Sequence, residues 1–265
     1  MSEDRVTIVI EDGIAEVTLN RPDKLNAFDQ AMFEQVAAAG DRLMSEPGLR
    51  AVILTGSGRG FCAGIDTSLL MAFAGRLDAL KIEINTPIAG RADNLFQHPC
   101  TVWADLPVPV IAALHGVTFG AGLQLALGAD IRIAHPETRL SIMESRWGLV
   151  PDMGLTKLLP GVMRADQALE MILSARVVEG VEAQALGLVT RLADDPLAAA
   201  RETAKAIANR SPEAARGAKA LVRAAWPGDD STLALEARLQ SEIIGSANQI
   251  EAVMAGMQKR DPNFA

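Results

Sequence analysis

Apolar and polar residues alternate along residues 5–11 and again along 14–20, with Asp12-Gly13 between them. A period of two places one face of each segment in a core, and Asp-Gly accepts the left-handed backbone of a tight turn, so a β-hairpin is predicted. The period then becomes helical. Asp29 stands as a cap before a run in which Met32, Phe33, Val36 and Leu43 fall on one side, and Pro47-Gly48 closes it. Short apolar, β-branched runs follow at residues 51–55 and 109–114, the second leading through glycines into a helical run at 123–127. Helix and strand in alternation imply right-handed crossovers and a largely parallel sheet. After about residue 190 the strand signals stop, and residues 196–209, 212–223, 232–244 and 248–260 read as helices, several opening at Pro or a capping residue. The expectation is an α/β core over residues 1–195 and a helical region over 196–265.

Two glycine-bearing turns stand out against this pattern: GSGRGFCAGID, ending at Asp66, and HGVTFGAGLQ, starting at His115. Glycine permits positive φ and close approach of backbone to a ligand. A strand-to-helix turn also leaves N–H groups unpaired, with the helix dipole behind them. Two such turns could aim two N–H groups at one oxygen, which is an oxyanion hole.

Composition narrows the partners. A length of 265 residues suits one α/β domain, or a domain with a small helical appendage. A net charge of −8 and a pI near 5.0 argue against nucleic acid, and 4% aromatic residues with no Tyr argue against a base-stacking platform. No run reaches the ~18 uncharged apolar residues of a membrane span. The acidic start MSEDRVTIVI enters a strand at once, which is not the pattern of a signal peptide, so a cytoplasmic protein is expected. Cys62 and Cys100 stand in no metal or CxxC spacing and read as two reduced thiols; no metal is expected. His115, before Gly116, reads as a turn residue.

Four ordered blocks, NRPDKLNAF (residues 20–28), RGFCAGID, GVTFGAGLQLALGADIRI and MESRWGLVPDMGLTKLLP (143–160), with EAQALGLV after them, resemble the crotonase family, the enoyl-CoA hydratases and isomerases. The resemblance implies a ββα superhelix with a C-terminal helical region. It also implies a coenzyme A thioester as substrate with no cofactor, and packing as a homotrimer or a hexamer of two trimers through the C-terminal helices, where Ile243, Ile244 and Val253 would be buried. By the same resemblance the backbone N–H groups of Ile65, after Ala63-Gly64, and of Ala121, between Gly120 and Gly122, form the oxyanion hole. Lys24, Leu25 and Ala27 would form one wall of the coenzyme A channel and Ala63, Gly64, Ile65 and Asp66 the other, with Gly120 alongside. Of the nearby cations Arg21, Lys24 and Arg59, Lys24 is the candidate for the phosphates. Residues 67–106, broken by Gly75, Pro87, Gly90 and Pro99, correspond to the region that shapes the acyl pocket. Leu69, Leu70, Met71, Phe73, Leu77 and Leu80 either line that pocket or belong to an amphipathic helix pair packed on the core.

Family hydratases clamp a water between two glutamates. At the first position this chain carries Gln124, which cannot ionise; at the second it carries Glu144, four residues before Gly148. Asp152 stands where the family's dienoyl-CoA isomerases carry an aspartate. Two carboxylates flanking one acyl chain can move a proton from one carbon to another. Each residue also has a plain structural role open to it: Asp152 as a helix N-cap, Glu144 as a loop charge, Gln124 as a satisfied buried amide. Three functions follow: isomerisation of an enoyl- or dienoyl-CoA by Glu144 and Asp152; hydration of a 2-enoyl-CoA by Glu144 with Gln124; or acyl-CoA binding without turnover.

Overall fold

The structure is a computed structural model that describes residues 4–226, 231–260 and 262–263; residues 1–3 and 264–265, the outer ends of the expected two-part division, lie outside the described residues. Nine strands occur among them: β1 (Val6–Glu11), β2 (Ile14–Leu19), β3 (Ala51–Gly56), β4 (Val110–Leu114), β5 (Val117–Phe119), β6 (Ile131–Ala134), β7 (Arg139–Ser141), β8 (Val178–Glu179) and β9 (Arg191–Leu192). β1 and β2 form the predicted hairpin, Val6 opposite Leu19 and Glu11 opposite Ile14, and Asp12 and Gly13 take φ of 51° and 74°. Ala15, Val17 and Leu19 of β2 are buried, every second residue as the alternation requires. The helix Gln30–Met44 follows. Asp29 Oδ1 accepts the Met32 N–H at 2.9 Å, and Met32, Phe33, Val36 and Leu43 lie buried along it.

The main sheet has the order β1-β2-β3-β4-β6-β9, parallel from β2 onward. A second, smaller sheet has the order β5-β7-β8, and a bridge from Cys62 to Thr118 adds the stretch after β3 to it. The first turn lays β1 and β2 in the main sheet before its helix; from β3 to β7 each turn lays one segment in the main sheet, one along the small sheet, and then helical residues. That is the expected ββα superhelix. Both faces of the main sheet are covered, as parallel strands demand. Phe28, Met32, Phe61, Trp103 and Leu123 belong to the core on one side. On the other, Ala51, Ile53, Ile111, Ala113 and Ile133 pack against Ala200 and Ala204 of the helix Pro196–Ala208. Each fully buried Val, Leu or Ile side chain is worth about 1.5–3 kcal/mol.

Residues 67–106 form three helices, Thr67–Ala74, Leu77–Asn85 and His98–Asp105. Phe73, Leu80 and Ile84 are buried in a third cluster with Leu149, Ala237 and Ile244, whereas Met71 is exposed. Ile244, expected at a subunit interface, is buried inside the chain against Leu77–Asn85, whereas Ile243 is only partly buried there. The helix Ser231–Ile243 lies across that helix and the short helix Leu155–Leu158, and Ala247–Gln258 packs on the 3-10 turn Glu144–Trp147. Among the described residues no helix is long and apolar enough to cross a membrane.

Candidate active site

The two glycine turns meet edge to edge. Cys62 N–H donates to Val117 O at 3.0 Å and Phe119 N–H to Cys62 O at 3.0 Å, so the stretch after β3 runs beside β5. Gly64 takes φ +98° and Gly120 φ +49°, the region where a side chain is strained. A Cβ on Gly64 would lie 3.1 Å from Phe119 O and 3.9 Å from Ala121 N. Phe28 N–H donates to Gly64 O and Asp66 N–H to Phe28 O, which grips the Ile65 peptide from both sides. Among the described residues neither the Ile65 nor the Ala121 N–H donates to a protein acceptor. Ala63, Gly64, Ile65, Gly120 and Ala121 line one cavity of about 310 Å³.

Asn26 holds this frame and was not singled out in the sequence. It is fully buried with φ 56°; its Nδ2 donates to Ser57 O, Gly60 O and Phe61 O, and its Oδ1 accepts the Arg21 N–H. The sign available was an Asn inside a block that must turn, since Asn tolerates left-handed backbone. Lys24, Ala27 and Asp66 also line the cavity, Lys24 being exposed at its rim. Leu25 does not. It takes φ 49°, and what it contributes is its carbonyl, which accepts the Ala63 N–H at 2.9 Å. Asp66 is occupied: it caps the helix Thr67–Ala74 through Ser68 and pairs with Arg21 at 2.6 Å. Burial disfavours its charge, but the Ser68 hydrogen bonds and the Arg21 guanidinium outweigh that and hold its carboxyl at about 2. Arg21, which also lies 3.4 Å from Asp29, is thereby a structural cation. His115 Nε2 lies 3.1 Å from Gly58 O, consistent with a turn residue.

The acid wall faces the glycine turns. Glu144, on the 3-10 turn, lines the same cavity, and a Cβ on Gly120 would lie 3.4 Å from its Oε1. Gln124 Nε2 donates to Glu144 Oε1 at 2.6 Å, while Gln124 Oε1 accepts the Met153 N–H at 2.9 Å, which fixes which way the amide points. Glu144 as a residue is only partly buried, yet its Oε2 is sealed from solvent and has no hydrogen-bond partner among the described residues. Burial pushes its carboxyl up to about 7, the Gln124 amide offsetting part of that rise. Glu144 also lines a second, deeper cavity of about 50 Å³, together with Asp152, Leu70, Phe73, Leu80 and Gln240. The segment 67–106 therefore supplies both pocket wall and packed helices, with Met71 in neither role.

Asp152 is not the N-cap. The helix Leu155–Leu158 has Gly154 in that position, with φ +89°. The capping carboxylate comes from 82 residues further on: Glu236 Oε2 accepts the Gly154 N–H at 2.9 Å and its Oε1 accepts the Thr156 N–H at 2.7 Å and the Thr156 hydroxyl. Among the described residues no other side chain donates a hydrogen bond to Asp152, and burial, then the charges of Glu236 and Glu144, raise its pKa well above the ordinary carboxylate range. Glu236 and Gln240, one helical turn apart on Ser231–Ile243, carried no sequence signal beyond an amphipathic helix. Cys62 and Cys100 are both free and buried; burial pushes the Cys62 thiol up to about 12. Among the described residues no three His, Cys, Asp or Glu side chains are grouped to hold a metal.

Residues 9–265 match the family described as enoyl-CoA hydratase/isomerase. A protein of Rhodobacter capsulatus named probable enoyl-CoA hydratase is 36% identical over 100% of this chain and 99% of its own length. The 1,2-epoxyphenylacetyl-CoA isomerase of Escherichia coli K12 is 33% identical over 96% of each. Among solved structures, an enoyl-CoA hydratase/isomerase from Mycobacterium paratuberculosis superposes with a TM-score of 0.84 at 25% identity, covering 95% of this chain and 98% of that one.

Proposed function

The chain belongs to the enoyl-CoA hydratase/isomerase family, and from that premise we propose that it shifts a double bond along an enoyl- or dienoyl-CoA, with Glu144 and Asp152 as the proton-transfer pair. The carrying observation is the state of the three polar residues. Gln124 spends its amide tethering Glu144 to Met153, while Asp152 stands without a side-chain donor on the wall that Glu144 shares. In this reading the thioester oxygen accepts from the Ile65 and Ala121 N–H groups, and those donors stabilise the negative charge as an enolate forms. Glu144, poised near 7, takes a proton from one carbon. Asp152, held protonated by burial and its anionic neighbours, gives one to another carbon, and proton exchange between the two acids restores the starting state.

The same reading assigns Lys24 to the phosphates of coenzyme A, with Ala27, Ala63, Gly64, Asp66 and Gly120 as channel walls and Leu25 shaping the turn. It also carries the division at residue 195, with the last helices covering the acyl site, and a homotrimer or hexamer. Exposed Leu169, Leu173, Val177 and Val181 give a surface for self-association. Hydration is the second reading, favoured by the 36% identical relative's name. Acyl-CoA binding without turnover is the third.

A panel of enoyl- and dienoyl-CoAs in ¹⁸O-water separates them. Isomerisation is expected to dominate, and Asp152→Asn to cut it by about 10² or more. Brisk ¹⁸O incorporation that survives Asp152→Asn would establish the hydratase reading instead. Binding of every ligand with turnover of none would establish the third.

A further inference from the structure

The deep cavity beyond Glu144 is walled mainly by Phe33, Leu80, Ile84, Phe96 and Ile244, yet Gln240 stands among them, almost fully buried. The Val150 N–H donates to Gln240 Oε1 at 3.3 Å. That donor needs an acceptor, so the amide cannot be turned round without setting N–H against N–H. With its Oε1 held by Val150, Gln240 lines the cavity, and among the described residues no acceptor takes its Nε2. The other polar residues lining this cavity, Asp152 and Glu144, make no hydrogen bond to it. A buried amide in an apolar pocket, left without a partner, costs stability unless a ligand or a water answers it.

We propose that Gln240 is a specificity determinant. It donates a hydrogen bond to an oxygen at the far end of a short acyl group, so that the substrate class is a short-chain acyl-CoA bearing a hydroxyl, oxo or ether oxygen beyond its reacting carbons. This rests on the functional reading above only in that the acyl group enters past Glu144. Size supports the word short. The cavity measures about 50 Å³, against the roughly 150 Å³ that holds a benzene ring. It has room for one or two carbons and an oxygen. A water, whose share of liquid is about 30 Å³, fits the same space, and an oxygen delivered on the acyl chain replaces it on Nε2. Such sites reject analogues that lack the polar group, because the protein donor is then left unpaired.

The test uses unreactive ligands, so that it stands whether or not a double bond moves. Butanoyl-CoA and 4-hydroxybutanoyl-CoA, then pentanoyl-CoA and 5-hydroxypentanoyl-CoA, are titrated calorimetrically into the wild type and into Gln240→Leu. In at least one pair the hydroxylated ligand is expected to bind the wild type about tenfold or more tightly than its plain partner. Gln240→Leu, which removes the donor and also the acceptor for the Val150 N–H, is expected to bring that ratio to one or below, whatever it does to the affinity of the plain ligand. Equal or weaker binding of both hydroxylated ligands to the wild type overturns the proposal, and needs no variant to fold. A preference that persists in Gln240→Leu overturns it as well. A preference lost in Gln240→Leu, in a protein that moves no double bond, would sink the isomerase reading and leave this one standing.

Discussion

The two sides of the cavity are built by different means. The glycine-turn side, the proposed oxyanion hole, is backbone: glycines at positive φ, strand ends joined by main-chain hydrogen bonds, and Asn26 closing three carbonyls onto one amide. Nearly all of its parts fall between residues 20 and 66 or 115 and 124. The acid side is side chain: Glu144 held by Gln124, and the loop of Asp152 propped by Glu236 and Gln240, which are 82 and 90 residues away from the groups they bond. A frame made of backbone geometry tolerates changes of side chain so long as φ and N–H survive. A frame made of carboxylates and amides depends on each functional group and on pH.

The sharpest way to break that contrast is Ala121→Pro, which removes an N–H at the first position of a helix, where proline's φ is welcome. Turnover should fall by about 10³ with the protein still folded, whereas Ala121→Gly should keep most activity. A folded, active Ala121→Pro would place the second donor elsewhere.

Glu144→Gln tests the opposite side. Turnover should fall by about 10² with little change in affinity for a saturated acyl-CoA. Stability should move the other way. The carboxyl ionises near 7 when folded against an ordinary 4.5, so the folded state holds the proton more tightly. Its contribution is fully present below 4.5 and is lost as pH rises through 7. Thermal unfolding should therefore find Glu144→Gln relatively more stable at pH 8 than at pH 5, each against the wild type. A gap independent of pH would show that Glu144 titrates normally.

The smallest effect belongs to Glu236→Gln. It keeps one acceptor of the cap and loses the charge, so about 1–2 kcal/mol of stability should go. With Glu236 neutral, the limb of the pH–rate profile that belongs to Asp152 should shift to lower pH, because the second cause of its raised pKa is gone. An unmoved limb would leave Glu236 as a cap alone.

The same contrast explains what could be read from the chain. The hairpin at Asp12-Gly13, the Asp29 cap and the two glycine turns were legible because each depends on a few neighbouring residues with restricted backbone choices. Glu144, Gln124 and Asp152 were legible as candidate chemistry through the family resemblance, but whether Asp152 caps the helix was not. It turned on Glu236, whose proximity to Gly154 is a product of the whole fold. Gln240 and the burial of Ile244 share that cause. Residues 67–106 were half legible, since leucines at helical spacing pack a core and line a pocket by the same pattern.

The cover over the far face of the main sheet has a consequence for how the chain is made. Ile53, Ile111 and Ile133 wait for Ala200 and Ala204, and synthesis runs at about 5–20 residues per second. The strand Ala51–Gly56 is thus complete on the order of 10–30 s before the helix that shields it exists. The stripe of Ile53, Ile111 and Ile133 is complete only with the strand Ile131–Ala134, so for roughly 4–15 s a parallel sheet, slow to form in any case, presents it bare on the ribosome. The glycine-turn frame can assemble during the wait, but Glu236 and Gln240 arrive only after that helix. A nascent chain halted near residue 200 would carry the backbone half of the site, lack the props of its acid half, and be at greatest risk of aggregation.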